Sequence, residues 1–233
     1  MGKVHEAIDG RLRAFVESQP LFFVATAPSE GHVNVSPKGT RGTFAVLSER
    51  RVAYLEYTGS GIETIAHLRD NGRITLMFCA FAGPPNIVRL HGRGEAVLPT
   101  DARYPDLRAN FEGLTEHGVR SIIVVDVERV SDSCGFSVPL LDYVGDRSLL
   151  TEWADRKSDD DLATYWKQRN ATSIDGLPGL GHAHGAPQAE QSLGHAHGAP
   201  QAEQSLGHAH GAPQAEQSLG HAHGAPQAEH LPA

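Results

Sequence analysis

Asn34-Val35-Ser36-Pro37-Lys38-Gly39 and, further along, Thr58-Gly59-Ser60-Gly61-Ile62-Glu63-Thr64 decide how this chain is read. The first stretch is a strand that runs into a Pro/Gly turn carrying one cation. The second is a Gly/Ser-rich loop that opens a helix. A helix start presents unpaired N–H groups and the positive end of the helix dipole to an anion. Lys38 adds a full charge beside it, so the pair describes a pocket for a ring and a phosphate, and points to a phosphorylated cofactor.

Working outward, Val4 to Glu17 places Val4, Ala7, Ile8, Leu12, Phe15 and Val16 at helical spacing, with Pro20 as the stop. Leu21 to Ala27 is a continuous apolar run, the pattern of a buried strand, and His32 to Ser36 returns after a turn at Ser29-Glu30-Gly31. Thr43 to Leu47 and Val52 to Tyr57 flank a polar turn and predict a hairpin. Gly61 to Asn71 predicts a short helix closed by Gly72. Arg73 to Phe81 is a core strand. Asn86 to Leu98 alternates, with Val88, Leu90, Gly92, Gly94, Ala96 and Leu98 on one face and Arg89, His91, Arg93 and Glu95 on the other. A helix near Asp101 to Phe111, the strand Ser121 to Val130, and two closing helices at 148–156 and 159–170 complete residues 1–180. About six strands joined by short hairpins, with few helices, predict a mainly β fold: a small barrel with helical additions.

Residues 181–233 are different. A 13-residue unit, LGHAHGAPQAEQS, recurs from Leu180, Leu193, Leu206 and Leu219. Gly, Pro and Ala give it little to bury, so a disordered low-complexity tail is expected. Its paired histidines are His182 and His184, His195 and His197, His208 and His210, and His221 and His223. They are candidate ligands for Zn, Ni or Cu. The near-identity of the copies favours a recent duplication without a selected role, with the metal reading kept as the alternative.

Charge narrows the function. The net charge is −8, and mild acidity persists once the tail's four Glu residues are set aside. That is the wrong balance for nucleic acid or an anionic membrane. Cys79 and Cys134 form no CxxC motif, MGKVHEAIDG has no apolar signal segment, and no apolar run reaches spanning length. The expectation is a cytoplasmic protein with free thiols. No GxSxG, HExxH or Walker-type loop occurs, so acyl transfer and metal-dependent hydrolysis have no motif behind them.

For the pocket itself, several side chains have competing readings. Ser60-Gly61-Ile62-Glu63 also spells a capping box, with Ser60 capping the helix and Glu63 reaching back. Beyond that box, Thr58, Ser60 and Thr64 are hydroxyl donors for a phosphate. Arg73 and Arg89 are candidates for its charge partners, with plain surface exposure as the competing reading. His67 reads as an exposed partner of Glu63 or Asp70. No residue stands out for proton transfer.

VNVSPKG, RVAYLEYTGSGIETIAHL, NGRITLMF and VRLHGRG, in this order and spacing, resemble the pyridoxamine 5'-phosphate oxidase-like flavoproteins, over about Arg11 to Val130. The segments SDSCGFSVPLLDY and NATSIDGLPGL resemble the C-terminal part of a small subgroup. The resemblance implies an FMN-binding split β-barrel, a homodimer with FMN between subunits, and a flavin-dependent oxidoreductase acting on a small molecule. It places Ser36, Pro37 and Lys38 along the flavin and Tyr57 and Thr58 at the entry to the phosphate loop. Glu63 and Thr64 stand where the oxidase itself has an Arg-Lys pair on the phosphate, and its Trp/Arg-containing terminal segment has no counterpart, so vitamin B6 oxidation is not expected. A deazaflavin in place of FMN, a non-catalytic flavin- or haem-binding module, and metal buffering by the His-rich tail are the alternatives.

Overall fold

The computed structural model describes residues 2–180. The repeat tail, and with it the candidate metal ligands His182, His184, His195, His197, His208, His210, His221 and His223, lies outside the described residues. Eight antiparallel strands form one sheet: β1 (Val4–His5), β2 (Phe22–Thr26), β3 (Asn34–Lys38), β4 (Phe44–Ser48), β5 (Arg51–Tyr57), β6 (Arg73–Cys79), β7 (Ile87–Val97) and β8 (Val119–Ser133). The order is β3-β2-β6-β7-β8-β5-β4, with β1 added on β8. Five helices punctuate it: α1 (Gly10–Ser18), α2 (Glu63–Asn71), α3 (Tyr104–Arg108), α4 (Leu149–Asp155) and α5 (Asp159–Arg169).

The sheet rolls up without closing. β2 and β4 are far apart in strand order, yet Phe22 and Phe44 meet with ring centroids 5.4 Å apart, and both pack on Phe78 of β6. Packing joins those two sides where no hydrogen-bonded ladder does, which makes the barrel split. Its interior holds Leu12 and Val16 of α1 with Val24, Tyr54, Leu76, Leu90, Ile123 and Val125. A second cluster lies behind β5 and β8, where Leu55, Ile122 and Val124 meet Tyr104 and Phe111. The period of two explains the division: Tyr54 and Ile123 face the interior while Leu55 and Ile122 face the other way. β5 is therefore buried on both faces, which is why it reads as a continuous run.

Several boundaries differ from the sequence reading. Residues 4–17 are not one helix. Val4 and His5 pair with Ser131 and Val130, and α1 starts only after Asp9, whose Oδ1 accepts from the Leu12 N–H at 2.7 Å. That side chain supplies the helix start. The helix expected at 101–111 is confined to Tyr104–Arg108, and β8 extends three residues past Val130 because β7 pairs with it as far as Ser133. The β7–β8 register shifts between His91 and Gly92, and a Cβ on Gly92 would collide with the Asp126 carbonyl oxygen. Only Gly permits that approach. The extra residue, Glu128, is on β8, so Ala96 still packs on the interior, while Val97 on the opposite face is buried in the second cluster.

Candidate functional site

Glu56 is a carboxylate in an apolar strand, 2 % exposed, and its surroundings organise the site. Between Glu56 and Tyr57 the β5–β8 register slips: Glu56 opposes Ser121, Tyr57 opposes Val119, and Arg120 has no partner in the ladder. An extra residue of this kind re-aims its side chain. The Arg120 guanidinium turns inward and donates from Nη2 to Glu56 Oε1 at 2.9 Å. Lys38, at the end of β3, reaches across the split and donates to the same oxygen at 3.0 Å. Burial by itself would push the Glu56 carboxyl up. The Lys38 ammonium and the Arg120 guanidinium outweigh it and hold the group at about 2, below its ordinary 4.5. The phenol of Tyr54, in the same interior, is driven well upward by burial and then by the charge of Glu56.

This cluster floors a cavity of about 840 Å³. Ser36, Pro37 and Lys38 line one side, Tyr57, Gly59, Gly61, Glu63 and Thr64 another, and Leu141, Tyr143, Leu149 and Leu150 a third. Leu141 and Tyr143 belong to a strap, residues 136–148, and Leu149 and Leu150 open α4; the strap is held down by Leu141 N–H to Phe81 O (2.9 Å) and by the Arg41 guanidinium 4.1 Å over the Tyr143 ring.

The loop before α2 is fixed from behind. Asn170 Nδ2 donates to Gly59 O at 3.1 Å and Ser60 O at 3.4 Å, and Arg120 Nη1 donates to Gly59 O and to Asn170 Oδ1. In a trans peptide the C=O and the following N–H point in opposite directions, and the described chain has no cis bond. With both carbonyls directed at Asn170, the N–H groups of Ser60 and Gly61 point away from it.

The nine residues singled out from sequence part company here. Ser36, Pro37, Lys38, Tyr57 and Thr64 line the cavity. Thr58 is buried, but its hydroxyl is already committed, donating to Gly118 O and accepting from Trp166 Nε1, each at 2.9 Å. Ser60 is exposed and does not line the cavity. Arg73 is tied to Asn71 Oδ1 and Pro28 O, and Arg89 to Ser133 Oγ; neither lines the cavity. The capping box does not form: α2 begins after Ile62 with no side-chain cap, and Glu63 Oε1 accepts instead from the Ile174 N–H at 3.3 Å. His67 is fully buried, with Nδ1 hydrogen-bonded to Thr26 Oγ1 at 3.0 Å, so it is not an exposed partner of Glu63 or Asp70.

Glu56, Arg120 and Asn170 escaped the sequence reading. A signal for Glu56 did exist. A charge inside the apolar run Val52 to Tyr57 must find a buried partner, but nothing local says that the partner enters through a register slip.

Comparison with known proteins supplies the family. Residues 8–134 match the family model described as pyridoxamine 5'-phosphate oxidase. The chain is 43 % identical over 191 residues to the pyridoxamine 5'-phosphate oxidase family protein ustO of Aspergillus flavus, covering 76 % of this chain and 77 % of that one. The chain belongs to the pyridoxamine 5'-phosphate oxidase family. Among solved structures, it is similar to HupZ from Group A Streptococcus (23 % identity, TM-score 0.44, 53 % of this chain and 91 % of that one). It is also similar to a FAD-binding protein from Mesorhizobium loti (16 % identity, TM-score 0.43, 57 % and 95 %).

Proposed function

We propose that this protein is a flavin-dependent oxidoreductase, a cytoplasmic homodimer of split barrels that holds FMN over Lys38 and passes a hydride or electrons to a small molecule. The observation that carries the reading is the cavity, whose floor sets two cations against one carboxylate within the fold of this family. Its volume suits a cofactor site. The residues present fit the group. Ser36, Pro37, Tyr57 and Thr64 would flank the ring, Lys38 would face its electron-rich edge or its phosphate, and the Gly61 N–H would serve the phosphate. Glu63, Asp142 and Asp146 are lining charges that oppose a phosphate, and Arg147 of the strap lines the same cavity.

Bound FMN would supply the redox chemistry, and the chain would orient it and tune it through hydrogen bonds and charge. Phe136, Leu140 and Val144 of the strap and Leu149 at the start of α4 are exposed, an apolar face that a second copy would cover. No helix among the described residues is long and apolar enough to cross a membrane. Cys79 and Cys134 are both free thiols, in keeping with a reducing compartment. Residues 1–180 would form the flavin-binding domain.

The test is the visible spectrum of the full chain after incubation with FMN and gel filtration. Flavin bands that travel with a dimer-sized protein are the expected result. A protein that leaves the column colourless refutes the cofactor. Lys38→Ala should weaken FMN binding by about tenfold or more, the loss of one charge-assisted contact, while the dimer stays folded. An unchanged affinity would remove Lys38 from the pocket.

A further inference from the structure

The cavity floor holds more positive charge than its own carboxylate can balance. Lys38 and Arg120 both pair with Glu56, through the same oxygen, and neither has another ion-pair partner among the described residues. The side chains of Arg120 and Glu56 are 4 % and 1 % exposed, that of Lys38 22 %. Water therefore screens the surplus poorly. Two polar atoms of the cluster, Glu56 Oε2 and Arg120 Nε, are buried with no hydrogen-bond partner. The arrangement is a chain of support: Asn170 holds Arg120, Arg120 holds Glu56, and Glu56 holds Lys38 at the edge of the cavity.

We infer that Glu56 and Arg120 are positioning residues that set how much of the Lys38 charge a cavity ligand feels, leaving one net positive charge that favours the electron-rich, reduced form of a bound flavin. The inference rests on the flavin reading above and extends it from which residues line the cavity to what sets the redox balance there. Glu56 neutralises one of two cations, and Arg120 prevents that neutralisation from being complete. The three charges act as a set. Removing the carboxylate raises the floor to two net positive charges, removing Arg120 lowers it to zero, and removing both restores one.

A charge on the floor acts more strongly on the two-electron-reduced, more anionic flavin than on the oxidised one, so the midpoint potential reads it directly. The measurement is a spectroscopic redox titration of FMN bound to the full-length wild type, Glu56→Gln, Arg120→Gln and the double variant. Glu56→Gln should favour reduced over oxidised FMN by about tenfold, an upward shift of about 30 mV for a two-electron couple. Arg120→Gln should move the potential down by a similar amount, and the double variant should return close to wild type. A merely structural role would make both single variants lose flavin without opposite shifts. Shifts of the same sign, or none, overturn the inference, and so does a double variant displaced further than either single one. The double variant leaves only Lys38, the most exposed of the three charges at 22 %, without a counter-charge, so it keeps the test available should Glu56→Gln fail to fold.

If wild type binds no FMN, the cofactor reading falls by itself. The cluster is then judged by carbon-13 NMR of the Glu56 carboxyl, whose neighbours are Lys38, Arg120 and the Tyr54 ring that Lys38 overlies. A carboxylate that stays ionised from pH 7 down to pH 4 supports the cluster. One that titrates near its ordinary 4.5 overturns it.

Discussion

Replacing Glu56 by Gln keeps the shape of the side chain and removes its charge, leaving Lys38 and Arg120 without a carboxylate. The cost follows from the same geometry that holds the group ionised. Glu56 titrates at about 2 in the fold against an ordinary 4.5, a gap worth about 3 kcal/mol of stability at neutral pH. Breaking a buried pair from one side costs about 3–5 kcal/mol in general, so the two figures agree. The pH dependence gives the sharper signature. A carboxyl with a depressed folded value contributes fully above its unfolded value. The contribution fades as pH falls from about 4.5 towards about 2, and about 2 kcal/mol of it should be gone by pH 3. Urea unfolding followed by the fluorescence of Trp153 and Trp166, at fixed protein concentration, measures the gap between wild type and Glu56→Gln. The gap should be largest near pH 6 and shrink by about 2 kcal/mol at pH 3. Parallel profiles across that range would mean that Glu56 is not held ionised by Lys38 and Arg120, and the account of the cavity floor would fail.

Asn170→Ala removes the Nδ2 donor from the Gly59 and Ser60 carbonyls, leaving Gly59 O only Arg120 Nη1, and should weaken FMN binding by about tenfold in equilibrium dialysis, on the scale of a lost buried hydrogen bond; an unchanged affinity would mean the loop is held some other way. Thr58→Val leaves Trp166 Nε1 unpaired, while the Gly118 carbonyl keeps the Thr58 N–H, and should cost about 1–3 kcal/mol in urea unfolding. A neutral result would show that this hydroxyl is not committed to the fold. Arg73→Ala and Arg89→Ala should each change the FMN affinity by less than about twofold, as for substitutions away from a site; a large loss at either would put the ligand elsewhere. Gly72 ends α2 in the left-handed region at φ 71°, so Gly72→Ala should lower stability by about 1 kcal/mol and leave the ligand site alone.

Much of the barrel is legible because period and punctuation are local properties. The runs at 21–27, 52–57 and 73–81 become β2, β5 and β6 to within two residues, and Gly72 ends α2 as its position promised. Part of the cavity is legible for the same reason: Ser36-Pro37-Lys38 and the loop after Tyr57 are contiguous motifs, and both line it. The errors fall where two signals coincide. Val4 keeps helical spacing with Ala7 and Ile8, yet β8 offers it a backbone ladder, and Asp9 supplies a better helix start. The S-x-x-E box is a sound local motif, but Glu63 finds the Ile174 N–H, 111 residues away in sequence, and leaves the box unmade.

By itself the sequence determined the strand periods, the turns, the helix stops and the two loops that meet at the cavity, since each depends on neighbours a few positions apart. Tertiary structure alone decided which charges meet. Lys38 lies on β3, Glu56 on β5, Arg120 on β8 and Asn170 at the end of α5, and no local pattern links them. Arg120 enters because one register slip in the β5–β8 ladder turns it from the ladder to the interior. A slip of one residue exchanges the faces of a strand, and its position is set by packing over the whole barrel.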